Sequence, residues 1–184
     1  PNSAIEVLAE LSDSGLIEHT NEGYILTQEG GQVAMNVIRA HRLWEQYLAE
    51  HTGYDPSEWH TQAENLEHDF SSDELDELAG VLGNPIYDPH GDPIPTRDLK
   101  MPNQISKRLS DLRAGQHAII QRVPDSNSEL LRYLGGHGIG PGTCVEVTAY
   151  SALDENLSLR IQNHQGIVVL GIRITRQIFV EVVP

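Results

Sequence analysis

Apolar residues near the start of the chain recur at the spacing of an amphipathic helix. Ile5, Leu8 and Leu11 fall on one face of such a helix. Two β-prone runs then flank Gly23, which is typical of a β-hairpin. A helix followed by a hairpin is the second half of a winged helix-turn-helix. Residues 1–27 are therefore expected to form the C-terminal part of that domain.

Three further helices are predicted by their start signals. Thr27 is a suitable N-cap for a long helix with apolar positions at helical spacing. Asp55 is followed by Pro and then, three positions on, by Glu, which predicts a second helix running to about Phe70. Ser71 repeats this arrangement for a third helix. Residues 28–83 are thus expected to form a helical domain.

The pattern changes after residue 83. Residues 84–103 are rich in Pro, Gly and Asp, which indicates a stiff loop followed by a linker. Over 104–184, short β-prone runs alternate with turn residues, which is typical of a small β-barrel, and one short helix is predicted from Ser128 to Leu134. The β-prone runs are Ala118–Ile120, Cys144–Val147, Leu157–Ile161 and Ile178–Val183. The expected fold class is α+β, with helices first and a β-barrel second.

Charge is distributed unevenly along the chain. Up to Thr96, two basic residues stand against 19 acidic ones, a net charge of −17, whereas the remainder carries +2. This imbalance favours two domains, and the acidic part should repel nucleic-acid phosphates and attract cations. The alternative is that the acids are simply solvated helix faces.

Composition excludes several classes of protein. No apolar run reaches the roughly 18 residues that a transmembrane helix needs, and the N-terminal residues lack the features of a signal peptide. The single cysteine, Cys144, excludes a disulfide framework and fits a reducing cytosol, so a cytoplasmic location is expected. Because Cys144 lies in a β-prone run, it is expected in the core.

Four ligand-type side chains recur on the predicted second helix. His60, Glu64, Glu67 and His68 stand at positions i, i+4, i+7 and i+8. These positions fall within about one third of the helix circumference. Packing explains such a face poorly, because Glu is seldom fully buried unless it is paired. A divalent cation would offset the repulsion between the like charges.

The preceding helix carries a matching pair, His41 and Glu45, at i and i+4. Helices joined by a short turn usually pack antiparallel, so the two sets can converge. Imidazole and carboxylate ligands without thiolate favour Mn²⁺ or Fe²⁺, with Zn²⁺ or Co²⁺ also able to bind in vitro. The alternative is a solvated face with chance histidines. His90, in the Pro-Gly loop, is expected to be structural rather than a ligand.

Catalytic motifs are absent from the sequence. It contains no His-Glu-x-x-His, phosphate-binding loop, nucleophile elbow or Rossmann fingerprint. No general base or nucleophile stands apart from the ligand-type residues, so we do not expect an enzyme.

The segments His41–Glu45, Trp59–His68 and Asp88–Pro95 carry motifs of a known family. They resemble the diphtheria-toxin-repressor (DtxR/MntR) family of iron- and manganese-dependent regulators. Residues 104–184 resemble the SH3-like FeoA domain that many members carry. The resemblance implies a partial winged helix-turn-helix, a helical dimerisation domain that forms a homodimer, and a small SH3-like β-barrel.

The resemblance also implies which residues bind metal. An ancillary site is implied at His41, Glu45 and His60. A primary site is implied at Glu64, Glu67 and His68. Iron-type members have Cys where this chain has Glu64, and manganese-type members have Glu, which favours Mn²⁺. A further ligand from the SH3-like domain should come from residues 127–130, where Glu129 is the obvious candidate.

Two departures from the family pattern concern DNA binding. The primary site normally takes ligands from the first helix of the DNA-binding domain, which this sequence does not include. The stretch that matches the recognition helix has no Lys or Arg, and residues 1–38 contain six acids and no basic residue. Cation–phosphate contacts supply much of the affinity for DNA, so we expect no nucleic-acid-binding residues and no DNA binding by this fragment.

Two outputs are consistent with the resemblance. Some metal ABC permeases carry a C-terminal extension similar to this family, so the chain could be the cytoplasmic regulatory portion of a membrane-embedded permease, tethered at the inner membrane. The alternative is the C-terminal fragment of a metal-dependent, DNA-binding repressor. The permease interpretation is slightly favoured, because an acidic module that starts midway through a winged helix suits it.

Overall fold

The computed structural model describes residues 3–68, 70–104 and 106–183. Residues 1–2 and 184, at the two ends of the chain, belong to the expected first and last domains and lie outside the described residues. A helical region with a small hairpin precedes an antiparallel sheet, which confirms the α+β class. The first region contains α1 (Ala4–Asp13), β1 (Ile17–Thr20), β2 (Gly23–Leu26), α2 (Gln28–His51), α3 (Trp59–Leu66) and α4 (Ser72–Val81). None of the helices in these ranges combines the length and apolar character needed to cross a membrane.

The helix and hairpin expected at the start of the chain are present as α1 and the antiparallel pair β1–β2. Ser3 and Glu6 form a capping box at the start of α1, where each side chain accepts a hydrogen bond from the other's backbone N–H. The following helix passes close to the hairpin at Gly30, because a Cβ there would lie 1.8 Å from the carbonyl oxygen of Leu16. Glycine at position 30 therefore allows α2 to pack this close to the hairpin.

The α3 helix begins later and ends earlier than the sequence pattern indicates. The capping contacts around Asp55 exist, since its carboxylate accepts from the N–H of Ser57 at 2.9 Å and Glu58 accepts from the N–H of Asp55 at 3.0 Å. These contacts hold a turn, and the helix itself spans Trp59–Leu66. Glu67 is the C-cap, so the expectation that Glu67 and His68 lie within this helix is wrong.

The helical core is formed by α2, α4 and the loop that follows α4. The capping box of Ser71 and Glu74 starts α4 as expected, and the helix ends at Val81. The buried residues of this core are Ala40, Leu43, Leu75, Ala79, Leu82 and Ile94. Packing against α4 buries one face of α2 and fixes the orientation of its ligand-type side chains.

The second region is a six-stranded sheet with the strand order β3-β8-β4-β5-β6-β7, all neighbours antiparallel. Its strands are β3 (Lys107–Arg108), β4 (His117–Arg122), β5 (Cys144–Ser151), β6 (Asn156–Ile161), β7 (Ile167–Leu170) and β8 (Phe179–Val183). Its helices are α5 (Ser128–Gly136) and α6 (Ile172–Thr175), with a 3₁₀ turn at Leu109–Asp111. Within the described residues the edge strands β3 and β7 are not hydrogen-bonded to each other, so backbone pairing does not close the barrel.

The alternation of buried and exposed residues in β5 corrects the expectation for Cys144. The residue begins the strand as expected, but its side chain is exposed, whereas Val145 and Val147 point into the core. Successive side chains of a strand point to opposite faces, and Cys144 falls on the outer one. The prediction that Cys144 is a core residue is therefore wrong.

The Pro-Gly loop after α4 packs against β4 rather than forming a solvated connection. Its backbone is pinned by Asp88, whose Oδ1 accepts from the N–H groups of His90 and Asp92, each at 2.9 Å. The carbonyl of His90 accepts from the N–H of Val123 at 3.0 Å. Asp88, His90 and Asp92 are all buried as a result.

Candidate metal centre

The centre is built around Glu45, which is fully buried on α2. Its Oε1 lies 3.1 Å from Nε2 of His41, one helical turn earlier. His60, on α3, brings its Nδ1 within 3.3 Å of the same oxygen and 3.0 Å from Nε2 of His41. The expected convergence of the two helices is thus present for these three residues.

A fourth ligand-type group reaches this cluster from the sheet region. Asp125 follows β4, and its Oδ2 lies 3.9 Å from Nδ1 of His60. Ligand atoms of His41, Glu45, His60 and Asp125 all lie within 4.8 Å of one another. We call these four residues the outer cluster. It draws its side chains from both regions of the chain.

A second group lies on the other side of Glu45. Its Oε2 is 3.3 Å from Nδ1 of His90, and Asp88 supplies the third ligand-type atom within 4.8 Å. All three residues are buried. We call Glu45, Asp88 and His90 the inner cluster. The structure thus brings His90 to the centre, where the sequence indicated only a structural role.

Two atoms of the inner cluster lack hydrogen-bond partners. Within the described residues, Oδ2 of Asp88 and Nε2 of His90 are buried and accept or donate no hydrogen bond. The nearest cation to Oδ2 of Asp88 is Arg42, whose Nε stays at 3.8 Å. A buried polar atom without a partner is unfavourable by about 1–3 kcal/mol. A nitrogen of His90 and an oxygen of Asp88, each within 4.8 Å of the Glu45 carboxylate, form a ligand set that fits a divalent cation.

The protonation equilibria reflect the crowding of charge. Burial opposes ionisation of Glu45, but hydrogen bonds from His41 and His90 outweigh it and lower its pKa to about 2. Burial likewise opposes the charged form of His41, yet Glu45 and Glu67 raise its pKa to about 9. Without a metal, an imidazolium therefore partly balances the buried carboxylate.

The inner carboxylate Asp88 behaves differently. Burial, followed by repulsion from Glu45 and Asp92, raises its pKa to about 7. Burial also raises the pKa of Asp92, although Arg122 and Arg42 oppose this effect. The pKa of this carboxyl group in the inner cluster thus lies near neutral pH, and a bound cation would ionise the group fully.

Two arginines hold Asp92 beside the centre. Its Oδ1 lies 3.3 Å from a terminal nitrogen of Arg42 and 3.1 Å from one of Arg122. Arg42 comes from α2 and Arg122 from β4, so this carboxylate joins the helical region to the sheet. Arg42 thus pairs with a largely buried carboxylate beside the centre, where its charge offsets those of Asp88 and Asp92.

The remaining residues expected to bind metal lie outside both clusters. Glu67 contacts His41, with Oε2 2.6 Å from Nδ1, and Glu64 is 3.5 Å from Nε2 of His60 but mostly exposed. The side chain of His68 is 68% exposed and lies 3.4 Å from a carboxylate oxygen of Glu67. Of the ligand groups found in the described residues, none contains Glu64, Glu67 or His68.

Glu129, the ligand expected from the sheet region, does not reach the centre either. It lies exposed in the first turn of α5, and Asp125, four residues earlier, faces His60 instead. Two further residues that the sequence did not identify as ligands, Asp88 and His90, lie in the Asp88–Pro95 segment that carries a family motif. Their place in that motif was the available signal, whereas Asp125 is an isolated acid with none.

Two family models match the chain. One is described as "Iron dependent repressor, metal binding and dimerisation domain" and matches residues 27–96. The other, the FeoA domain, matches residues 107–182. The first match contains the helical part of both clusters and the second contains Asp125.

Individual proteins resemble the chain to different extents. A "Probable metal transport system membrane protein" of Chlamydia trachomatis is 41% identical over 91 residues, which cover 49% of this chain and 20% of that protein. The "Iron-dependent repressor IdeR" of Mycobacterium leprae is 28% identical over 178 residues, or 89% of this chain and 76% of the repressor. The match thus spans about a fifth of the Chlamydia protein's length.

Solved structures extend the likeness over nearly the whole chain. A "Manganese-dependent transcriptional repressor complex with manganese" superposes with a TM-score of 0.88 at 32% identity. The superposition covers 98% of this chain and 84% of the repressor.

Proposed function

Because the chain belongs to the DtxR/MntR family of metal-dependent regulators, we propose that it is a divalent-metal-sensing module. The observation that carries this function is the environment of Glu45. Its two buried oxygens face two ligand-type clusters, and two atoms of the inner cluster have no hydrogen-bond partner within the described residues. A cation held by Glu45, Asp88 and His90 would give the unpaired oxygen of Asp88 a partner.

The ligands proposed are those that the geometry gathers. The outer cluster would hold a metal through His41, Glu45, His60 and Asp125. The inner cluster would hold one through Glu45, Asp88 and His90. Since Glu45 belongs to both clusters, it would be a ligand of each ion that binds there. Glu64, Glu67 and His68 would complete the primary site that the resemblance implies only if the exposed Glu64 and His68 and the largely buried Glu67 rearranged, so the sites proposed are the two clusters.

The metal proposed is Mn²⁺ or Fe²⁺. The donor set is imidazole nitrogen and carboxylate oxygen without thiolate, which suits both ions and also admits Zn²⁺ or Co²⁺. The names of the relatives agree, since one is manganese-dependent and another iron-dependent. Glu64, the manganese-type residue in the resemblance, favours Mn²⁺.

Metal binding would act on the contact between the helical region and the sheet region. The outer cluster combines side chains of α2 and α3 with Asp125 of the sheet region. A bound ion would therefore favour one arrangement of the helical and sheet regions over others, which is how a ligand shifts a conformational equilibrium. We place the boundaries of these regions at 28–83 and 104–184, joined by 84–103, with the partial winged helix over 1–27. A homodimer would form through the helical region.

The output proposed first is regulation of a metal permease, with the module on the cytoplasmic side of the membrane. The 41% identity to part of a Chlamydia metal transport membrane protein supports this output. The absence of Lys and Arg from residues 1–38 supports it too, because a surface without cations binds DNA poorly. The alternative output, repression of transcription, is supported by the extent of the likeness to the manganese-dependent repressor.

Calorimetric titration of the metal-free chain with Mn²⁺, Fe²⁺ and Zn²⁺ tests the sensing function. Glu45→Gln removes the shared carboxylate charge and keeps its shape, and Glu50→Gln, on the exposed face of α2, is the matched control. We expect micromolar or tighter binding that Glu45→Gln abolishes and Glu50→Gln preserves. Equal binding by both variants would refute a site at Glu45.

Fluorescence anisotropy with labelled duplex DNA distinguishes the two outputs. We expect no binding by the chain at physiological salt with or without Mn²⁺. Metal-dependent binding that Glu45→Gln removes would instead establish the repressor. In a permease that carries this module, the first output predicts metal transport whose dependence on cytoplasmic Mn²⁺ is lost in Glu45→Gln.

A further inference from the structure

A pocket of about 510 Å³ opens between the outer edge of the sheet and the loop after β4. Its floor is a cross-strand row, because Phe179 of β8 pairs with Arg108 of β3 on one side and with Arg122 of β4 on the other. Directly paired residues of an antiparallel sheet share a face. The two arginines therefore flank one aromatic ring on the wall of a single cavity.

The side chain of Arg122, at one end of this row of three residues, is held in place by two contacts. The guanidinium carbon of Arg122 lies 4.2 Å from the ring centroid of Phe179, and a terminal nitrogen lies 3.1 Å from Asp92. Stacking and pairing fix the plane of this guanidinium, so little rotamer entropy remains to be lost when a ligand binds.

A third guanidinium also lines the cavity. Arg176 comes from the segment between α6 and β8, and the amide of Gln177 and the hydroxyl of Ser126 line the same cavity. Within the described residues, neither Arg108 nor Arg176 forms an ion pair with a carboxylate. Both are exposed and available to a ligand.

The balance of charge in the cavity favours an anion. Three arginines line it against two carboxylates, Asp92 and Asp125. Asp92 is also bound by Arg42 from the helical region, and Asp125 faces His60 in the outer cluster. The chain as a whole carries a net charge of −15, so an excess of positive charge here is local and not a general property of the surface.

We propose that this pocket binds a phosphate group, either free phosphate or the phosphate of a small phosphorylated metabolite. Guanidinium groups bind phosphate through paired N–H donors, and the neutral Gln177 and Ser126 side chains supply further donors. The cavity is larger than phosphate needs and falls within the usual size range of small-molecule sites. The proposed phosphate donors are separate from the metal ligands, although Asp125 lines this pocket and also belongs to the outer cluster.

Binding is measured on the metal-free chain in chelator-containing buffer, so that failure of metal sensing would not affect it. Inorganic phosphate, AMP and adenosine are titrated calorimetrically at fixed ionic strength. Arg108→Gln and Arg176→Gln each remove one exposed guanidinium, and Arg173→Gln, three residues from Arg176 and outside this cavity, is the control of equal charge change.

We expect saturable binding of phosphate or AMP, weakened at least about tenfold by Arg108→Gln and by Arg176→Gln and less than about twofold by Arg173→Gln. Tighter binding of AMP than of phosphate would identify an organic phosphate as the ligand, and equal binding would identify the free ion. Equally weakened phosphate or AMP binding in all three variants would mean that only the overall charge of the protein matters, and would overturn the site. Binding of adenosine as tight as that of AMP, or no saturable binding of any probe, would overturn it as well.

Discussion

Nδ1 of His90 lies 3.3 Å from Oε2 of Glu45, although the two residues are separated by 45 positions in the chain. The contact forms because the loop carrying His90 packs between α2 and β4 and is held by the hydrogen bond from the N–H of Val123 to the carbonyl of His90. It turns the second oxygen of Glu45 into part of the inner cluster. Loss of the His90 imidazole should therefore affect metal binding directly.

We expect His90→Ala to weaken Mn²⁺ binding at least about tenfold and His68→Ala to change it little. The sequence alone indicated the reverse order, with His68 as a ligand and His90 as structural. His90 is buried beside Glu45, whereas the side chain of His68 is 68% exposed. Calorimetric titration of both variants gives the order, and circular dichroism shows whether His90→Ala keeps its helices. A larger loss of Mn²⁺ affinity in His68→Ala than in His90→Ala would mean that the exposed His68 is a ligand and His90 is not.

Asp125 gives a second comparison. We expect Asp125→Asn to weaken metal binding at the outer cluster by about tenfold or more, because it removes a carboxylate whose Oδ2 lies 3.9 Å from His60. Glu129→Gln makes the same change of charge four residues away, on an exposed turn of α5, and should leave the affinity unchanged. Competition with a chromogenic chelator measures both. An effect confined to Glu129→Gln would support the residue that the sequence favoured.

Several features of the fold are set by neighbouring residues. Ser3, Thr27 and Ser71 each accept a hydrogen bond from a backbone N–H of the helix they start, so the beginnings of three helices could be predicted from local sequence. The four β-prone runs of the second region correspond to strands, with only Ile178 lying one residue before β8. The strands β3 and β7 were not predicted, because two and four residues give too short a pattern to separate from turns.

The site depends more strongly on distant contacts. His41, Glu45 and His60 could be predicted because they lie on adjacent helices at helical spacing. The burial of His90 depends on packing against β4, which no local pattern encodes. Asp125 reaches the centre because the loop after β4 lies beside His60 of α3. The helix that was to carry His68 ends at Leu66, two residues too early.

Stability of the metal-free chain should decline as the pH rises from about 6.5 to 9. Glu45 and Glu67 raise the pKa of His41 to about 9, so its stabilising charge is fully present below its unfolded value and is lost on approaching 9. Burial raises the pKa of Asp88 from 3.8 to about 7, so its contribution to stability declines between those values and adds to this fall only up to about pH 7. Urea unfolding at several pH values measures the decline. Glu45 acts only in acid, where stability falls from about pH 4.5 toward 2.

Metal affinity should change in the opposite direction. An ion must displace the proton of His41 and any proton of Asp88, so we expect affinity to rise between pH 6 and 9 by roughly tenfold per pH unit for each proton displaced. Titrations in buffers of different ionisation enthalpy count the protons released. His41→Gln should reduce that count. An affinity that is flat above pH 7 would mean that His41 binds no metal.

Gly91 is the residue that allows the loop of His90 to reach β4. Its φ of +92° belongs to the region that favours glycine, and a Cβ there would lie 1.8 Å from the carbonyl oxygen of Gln121. We expect Gly91→Ala to lower the free energy of unfolding by at least about 2 kcal/mol more than Gly115→Ala. Gly115 has a similar φ of +87°, but a Cβ there would have nothing within 4 Å, so it isolates the backbone strain from the clash. Denaturant unfolding compares the two.

Gly91→Ala should also weaken Mn²⁺ binding, because moving the loop off β4 separates His90 from Glu45, whereas Gly115→Ala should bind normally. Equal losses of stability with unchanged metal affinity in both variants would show that the inner cluster does not depend on this approach.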